Sequence, residues 1–183
     1  NRNVDFFDVK ADLEALLLPR VAKFERATHP ALHPGCSARV VLDGREIGFI
    51  GEIHPVWVQR YELGTAPVVF EIELDALLGT VMPAYRDVSR FPAVTRDLAL
   101  VVDQGAAAAS LLEGLEAVAP AIVQRVELFD QYQGKGVEPG RKSLAFRVVM
   151  QETQRTLEDA EVDAAMLVLT RHAEENLGAK LRG

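Results

Sequence analysis

The chain has 183 residues, 49% of them hydrophobic and 26% charged, which supplies enough apolar side chains for one or two folded cores. A formal charge of −7 argues against indiscriminate nucleic-acid binding, which depends on neutralising phosphates, and DNA is not an expected partner. No apolar run reaches the roughly 18 residues of a membrane span. The start of the chain is too polar for a signal peptide, and the lone Cys36 allows no internal disulfide, so a cytoplasmic location is expected.

Asn1 opens without methionine into VDFFDVK, which reads as strand and then helix, as expected of a piece of a longer polypeptide. DLEALLLPRV, from Asp12 to Val21, predicts a short helix ended by Pro19. SARVVL and REIGFIGEI flank Asp43-Gly44, a strong hairpin signal, because a type I′ turn needs positive φ at both central positions. His54-Pro55 ends the second of these strands. PVWVQRYEL then suits a short helix, APVVFEIEL a strand and DALLGTV a closing turn. MPAYRDVSRFPA, with Pro83 and Pro92, has the look of a linker. The expected division is therefore a first domain over 1–82, a linker over 83–90 and a second domain over 91–183.

The second half predicts strand, helix, strand, strand, helix, strand. DLALVVD alternates Leu98, Leu100 and Val102 against Asp97, Ala99 and Val101. Ala106 to Val118 carries Leu111, Leu112, Leu115 and Val118 on one helical stripe. VQRVELFDQY and SLAFRVVMQ are strands joined by the polar loop QGKGVEPGRK. Thr156 to Leu177 is a helix with Gly178 as its stop, and AKLRG is a short last strand. This order is the ferredoxin-like βαββαβ sandwich of the α+β class, a four-stranded antiparallel sheet with two helices on one face.

The other sheet face is left open, and function is expected there. Alternation turns Leu144, Phe146, Val148 and Met150 toward the helices and Ser143, Ala145, Arg147 and Gln151 outward, with Ala99 and Val101 beside them. Ala99, Ser143 and Ala145 make a flat floor. The strand VQRVELFDQY breaks the pattern, since the parity that buries Val126 and Leu128 would also bury Asp130 and Tyr132. An unpaired carboxylate is not buried under helices. Either the strand bulges near Phe129, or Asp130 and Tyr132 lie beyond the sheet edge and curl over it. Acidic residues are crowded between Thr156 and Gly178, which leaves the rest of this half mildly basic and suits a local contact with folded RNA.

RFPAVTRDLALVVD, LFDQYQGKGVEPGRKSLAFRV and QRTLEDAEVDAAM resemble the ferredoxin-fold anticodon-binding domain at the C-terminus of bacterial phenylalanyl-tRNA synthetase β subunits. DFFDVKADLEALL, LHPGCSARV, IGFIGEIHP and FEIELDAL resemble the end of the same subunits' class II synthetase-like, non-catalytic domain. The family usually has threonine where this chain has Glu158, so Thr156 with Asp159 is the expected replacement helix cap. The resemblance implies recognition of the anticodon stem-loop of phenylalanine tRNA and partnership with an α subunit in an α2β2 enzyme. It implies ATP and magnesium for the parent enzyme, and no cofactor, metal or catalytic residue in this piece. It points to Asp130, Tyr132 and Ala99 as anticodon contacts: a tyrosine stacks on an unstacked base, and a carboxylate accepts from the Watson-Crick edge of guanine. Arg90, Arg96, Lys142 and Arg147 are further candidates for phosphate or base contact. Arg96 and Asp97 could equally form a structural ion pair.

Other readings bear on single features. His29, His33, Cys36 and His54 are loosely spaced, interrupted by Pro30 and Pro34, and point to a structural loop rather than zinc. GFIGEIHP lacks the arginine that ends a class II ATP-binding motif. A βαββαβ sheet can also serve as a small-molecule regulatory domain that binds amino acids, or as a purely structural assembly module.

Overall fold

A computed structural model describes residues 2, 4–78 and 88–182, so residues 83–87 of the expected linker lie outside it. The chain forms two compact units, Asn1–Tyr85 and Arg86–Gly183.

In the first unit, helix α1 (Phe6–Leu17) begins at Phe6 rather than at Asp12, and no strand precedes it among the described residues. The reason is a reciprocal cap. The Asp5 carboxylate accepts from the backbone N–H groups of Phe7 and Asp8 at 2.8 and 3.1 Å, while the Asp8 carboxylate accepts from the Asp5 N–H at 2.9 Å. Leu13 and Leu17, one turn apart, are buried from this helix. Strands β1 (Lys23–Arg26), β2 (Leu32–Leu42), β3 (Arg45–Ile53) and β4 (Val68–Ile72) form an antiparallel sheet in that order. β1 was not expected, because KFER is too short to show a period. The β2–β3 hairpin turns at Asp43 and Gly44, with φ of 51° and 79°. His54 caps the expected short helix α2 (Pro55–Arg60) by accepting from the Val56 N–H at 3.2 Å. Where a turn was expected, Leu74–Leu78 forms the short helix α3. Leu13, Leu17, Val40, Leu42, Ile47 and Ile50 fill the core of this unit.

The second unit has the ferredoxin-like fold expected of it. Its strands β5 (Val94–Asp103), β6 (Val123–Tyr132), β7 (Arg141–Met150) and β8 (Lys180–Leu181) form an antiparallel sheet in the order β6-β7-β5-β8. Helices α4 (Ala108–Ala117) and α5 (Asp159–Asn176) share a single core with Leu98, Leu100, Val102, Leu144, Phe146 and Val148. Two helices bound to one core from one side leave the other sheet face uncovered, as the alternation of β5 and β7 requires.

Ser89 belongs with this unit. Its hydroxyl donates to the Glu152 carbonyl at 2.5 Å, and Gln151 Nε2 donates to the Phe91 carbonyl at 2.6 Å, which fixes the lead-in segment to the end of β7. The start of α5 differs from the expected cap at Thr156. Glu158 is the N-cap residue, and its N–H donates to the Glu161 carboxylate at 3.0 Å. Arg155 clamps the same carboxylate through its two terminal guanidinium nitrogens, at 2.7 and 2.5 Å. At the other end Gly178 stops the helix as expected, with φ of 61°, and lets the Ala179 N–H reach the Ala173 carbonyl at 3.1 Å.

Two outcomes follow. Phe146 is fully buried, and Phe146→Ala should lower stability by about 3–5 kcal/mol in urea unfolding followed by circular dichroism. The Arg155 guanidinium and the Glu158 N–H hold the Glu161 carboxyl down to about 2 from its ordinary 4.5. Its stabilising effect is therefore complete above about pH 4.5 and is lost as the pH falls toward 2. Melting temperatures measured across that window should fall less steeply in Arg155→Met than in the parent chain.

Candidate nucleic-acid interface

The open face of the second unit is organised by one irregularity. In β6, Leu128 lies opposite Phe146 and Asp130 opposite Ala145, with the register shift between them, so Phe129 is the extra residue of a β-bulge. Of the two possibilities raised by the sequence, the bulge is the one observed. Beyond it the parity of β6 is reset. Asp130, Ala145 and Ala99 form one cross-strand row on the open face, and Tyr132, Ser143 and Val101 form the next. On the other side of the bulge, Glu127, Arg147 and Asp97 make a third row.

Asp130 is exposed, and among the described residues its carboxylate has no hydrogen-bond or ion-pair partner. It borders the two alanines, whose side chains end at Cβ. Tyr132 stands beside it, 37% exposed, with its hydroxyl donating to the Lys135 carbonyl at 3.3 Å. Gly134 gives that ring its space, because a Cβ there would lie 2.8 Å from the Tyr132 Oη.

Arg182 also reaches this face, which the sequence pattern did not reveal. Its N–H donates to the Ala99 carbonyl at 2.9 Å, which extends the β8 pairing and delivers the side chain onto the open face. The guanidinium lies 5.3 Å from the Tyr132 ring centroid, and Nη1 donates to Ser143 Oγ at 3.4 Å. Ser143, expected as open floor, is accordingly buried. In the sequence AKLRG only the register of β8 against β5 could have shown this position.

The other cations behave differently from expectation. Arg147 is on the open face, but its Nε and Nη2 donate to the two Asp97 oxygens at 3.0 and 3.1 Å. That pairing holds the Asp97 carboxyl below its ordinary range and the guanidinium above its own. Asp97 therefore does not pair with Arg96. Arg96 shares the parity of Leu98, lies on the helix side of β5 and donates to the Thr95 carbonyl at 3.2 Å. Lys142, expected as a phosphate contact, shares the parity of Leu144 and is only 8% exposed. Arg90 is exposed in the lead-in segment, outside the sheet. Arg125 and Arg141 are paired as well, with Glu127 at 2.9 Å and with Asp103 at 3.2 Å. The face thus gathers Asp130, Tyr132, Ala99, Arg147 and Arg182, and leaves out Arg96, Lys142 and Arg90.

In the first unit the histidines serve local structure. His29, His33 and His54 each accept a backbone N–H through Nδ1, from Ala31, Gly35 and Val56, so all three are turn-capping residues. No group of three His, Cys, Asp or Glu side chains among the described residues could hold a metal ion. Burial pushes the Cys36 thiol up, away from the reactive thiolate. Gly48 serves packing, since a Cβ there would meet the Glu71 carbonyl oxygen at 1.9 Å. Among the described residues no helix is long and apolar enough to cross a membrane.

Residues 89–182 match the ferredoxin-fold anticodon binding domain, and the chain belongs to that family. Residues 1–74 match the phenylalanyl tRNA synthetase beta chain CLM domain, so both halves agree with the family that the motifs resemble. Similar proteins are the phenylalanine–tRNA ligase beta subunits of Aromatoleum aromaticum, 66% identical over the whole chain, and of Dechloromonas aromatica, 58% identical over 99% of it. The beta subunit of Ralstonia nicotianae is 52% identical over 99% of the chain. The chain spans 23–24% of the length of these relatives.

Gly134 supplies a test of how the Tyr132 ring is held. Gly134→Ala forces a side chain onto a φ of 154° and against that ring. It should cost about 1–3 kcal/mol in thermal unfolding and shift the Tyr132 ring resonances in NMR spectra.

Proposed function

We propose that this chain is the C-terminal part of a phenylalanine–tRNA ligase β subunit, and that its second unit holds the anticodon stem-loop of phenylalanine tRNA on the open sheet face. The observation that carries this reading is the row formed by Asp130, Ala145 and Ala99, flanked by Tyr132. An exposed carboxylate with no protein partner can accept two hydrogen bonds from the Watson-Crick edge of guanine, the first base of a phenylalanine anticodon. The alanines let a flat base approach the backbone, the Tyr132 ring gives a stacking surface, and Arg182 supplies a donor and a cation at the same place. The protein binds and positions here; it breaks no bond.

In this reading residues 1–82 are the end of the class II synthetase-like domain, 83–90 the linker and 91–183 the anticodon-binding domain. The parent enzyme works in the cytoplasm as an α2β2 assembly with an α subunit. ATP and magnesium belong to the parent enzyme in this reading.

The test is binding of the 183-residue chain to a phenylalanine anticodon stem-loop, measured by fluorescence anisotropy. Tyr132→Ala should weaken binding roughly tenfold, as expected for loss of one base-aromatic stack. Asp130→Asn should reduce the preference for guanine at the first anticodon position. Equal affinity for stem-loops with that base changed would sink the specific reading. A thermal shift with free phenylalanine and none with the stem-loop would instead mark a small-molecule regulatory domain.

A further inference from the structure

Phe129, the residue inserted by the bulge in the edge strand β6, is 48% exposed, a large aromatic ring left on the surface. The Arg147 guanidinium carbon lies 4.6 Å from its ring centroid, within cation-π range. Asp97 holds two of the three guanidinium nitrogens and so fixes the plane of the group. The third, Nη1, has no partner among the described residues. Asp97 also neutralises the charge, which makes this a poor phosphate clamp. What remains is a flat, polarisable surface with one outward donor, the combination on which unpaired bases stack and hydrogen-bond.

Its position matters as much as its chemistry. Asp97 and Arg147 are each two residues along their strands from Ala99 and Ala145. Two residues on one strand face are about 7 Å apart, a span that one nucleotide of an extended strand covers. We propose that Phe129 and Arg147 form a second nucleobase seat beside the one at Asp130 and Tyr132, so that the open face holds two consecutive unpaired bases, the second presenting an acceptor to Arg147 Nη1. This rests on the reading of the face as an anticodon-binding surface and extends it by one nucleotide.

Anticodon stem-loops with an abasic site at each loop position in turn, bound to the 183-residue chain, test this directly. Two consecutive abasic positions should each weaken binding about tenfold. In Phe129→Leu, removing one of those bases should cost less than about twofold while removing its neighbour still costs in full; Tyr132→Ala should show the reverse. Arg147→Lys, which keeps the charge and loses the plane, should behave like Phe129→Leu and guards against a folding defect in the bulge. If only the position sensitive to Tyr132 responds, and Phe129→Leu and Arg147→Lys bind like the parent, the second seat is overturned and the first stands. If the parent chain binds no stem-loop, both are overturned.

Discussion

The open face of the second unit depends on a constraint of elementary kind: side chains of a β-strand alternate between the two faces of the sheet, and a carboxylate without a partner cannot lie on the face covered by helices. β6 meets both demands by inserting one residue. Before the bulge, Val126 is buried among core side chains; after it, Asp130 and Tyr132 stand opposite Ala145 and Ser143 on the open side. The same sequence without the bulge would place Asp130 opposite Leu144, on the side of the core. The bulge is thus what allows one strand to serve a hydrophobic core and a polar face in succession.

The second unit was readable from the chain because its elements are long and regular. Leu98, Leu100 and Val102 alternate cleanly, the leucines of α4 repeat at helical spacing, and the fold follows from their order. The conflict at Asp130 was visible too, as a parity that no core could accept. What alternation could not provide was long-range register. The exposure of Phe129 depends on which residue the bulge inserts, and the place of Arg182 depends on β8 lying against β5. A charged residue such as Lys142 invites an outward reading, whereas the parity of Leu144 places it on the helix side. In the first unit β1 was too short to show a period, and α1 starts early because of a cap between two aspartates rather than an apolar stripe.

Part of the charge on the open face is paired within the protein. Arg125, Arg141 and Arg147 each have a carboxylate partner, while among the described residues Asp130, Lys180 and Arg182 have no ion-pair partner. A surface of this kind is poorly suited to gathering polyanions at random, in keeping with the acidic chain as a whole. It is better suited to discrimination, where a few uncommitted groups meet a few complementary ones. Tyr132 and Arg182 show how that rigidity is obtained. The ring is fixed by its hydroxyl and by the turn at Gly134, and the guanidinium by Ser143, so little ordering is left to occur on binding.

Ala99 and Ala145 set a limit on how such a site can change. They face each other across β5 and β7 at the centre of the open face, and each already carries the smallest side chain a strand keeps without loss of stiffness. Nearly every substitution at either position is an enlargement that raises the floor of the open face. The pair can therefore abolish a fit more easily than refine one, and variation in preference among similar sheets has to come from the rim residues around them.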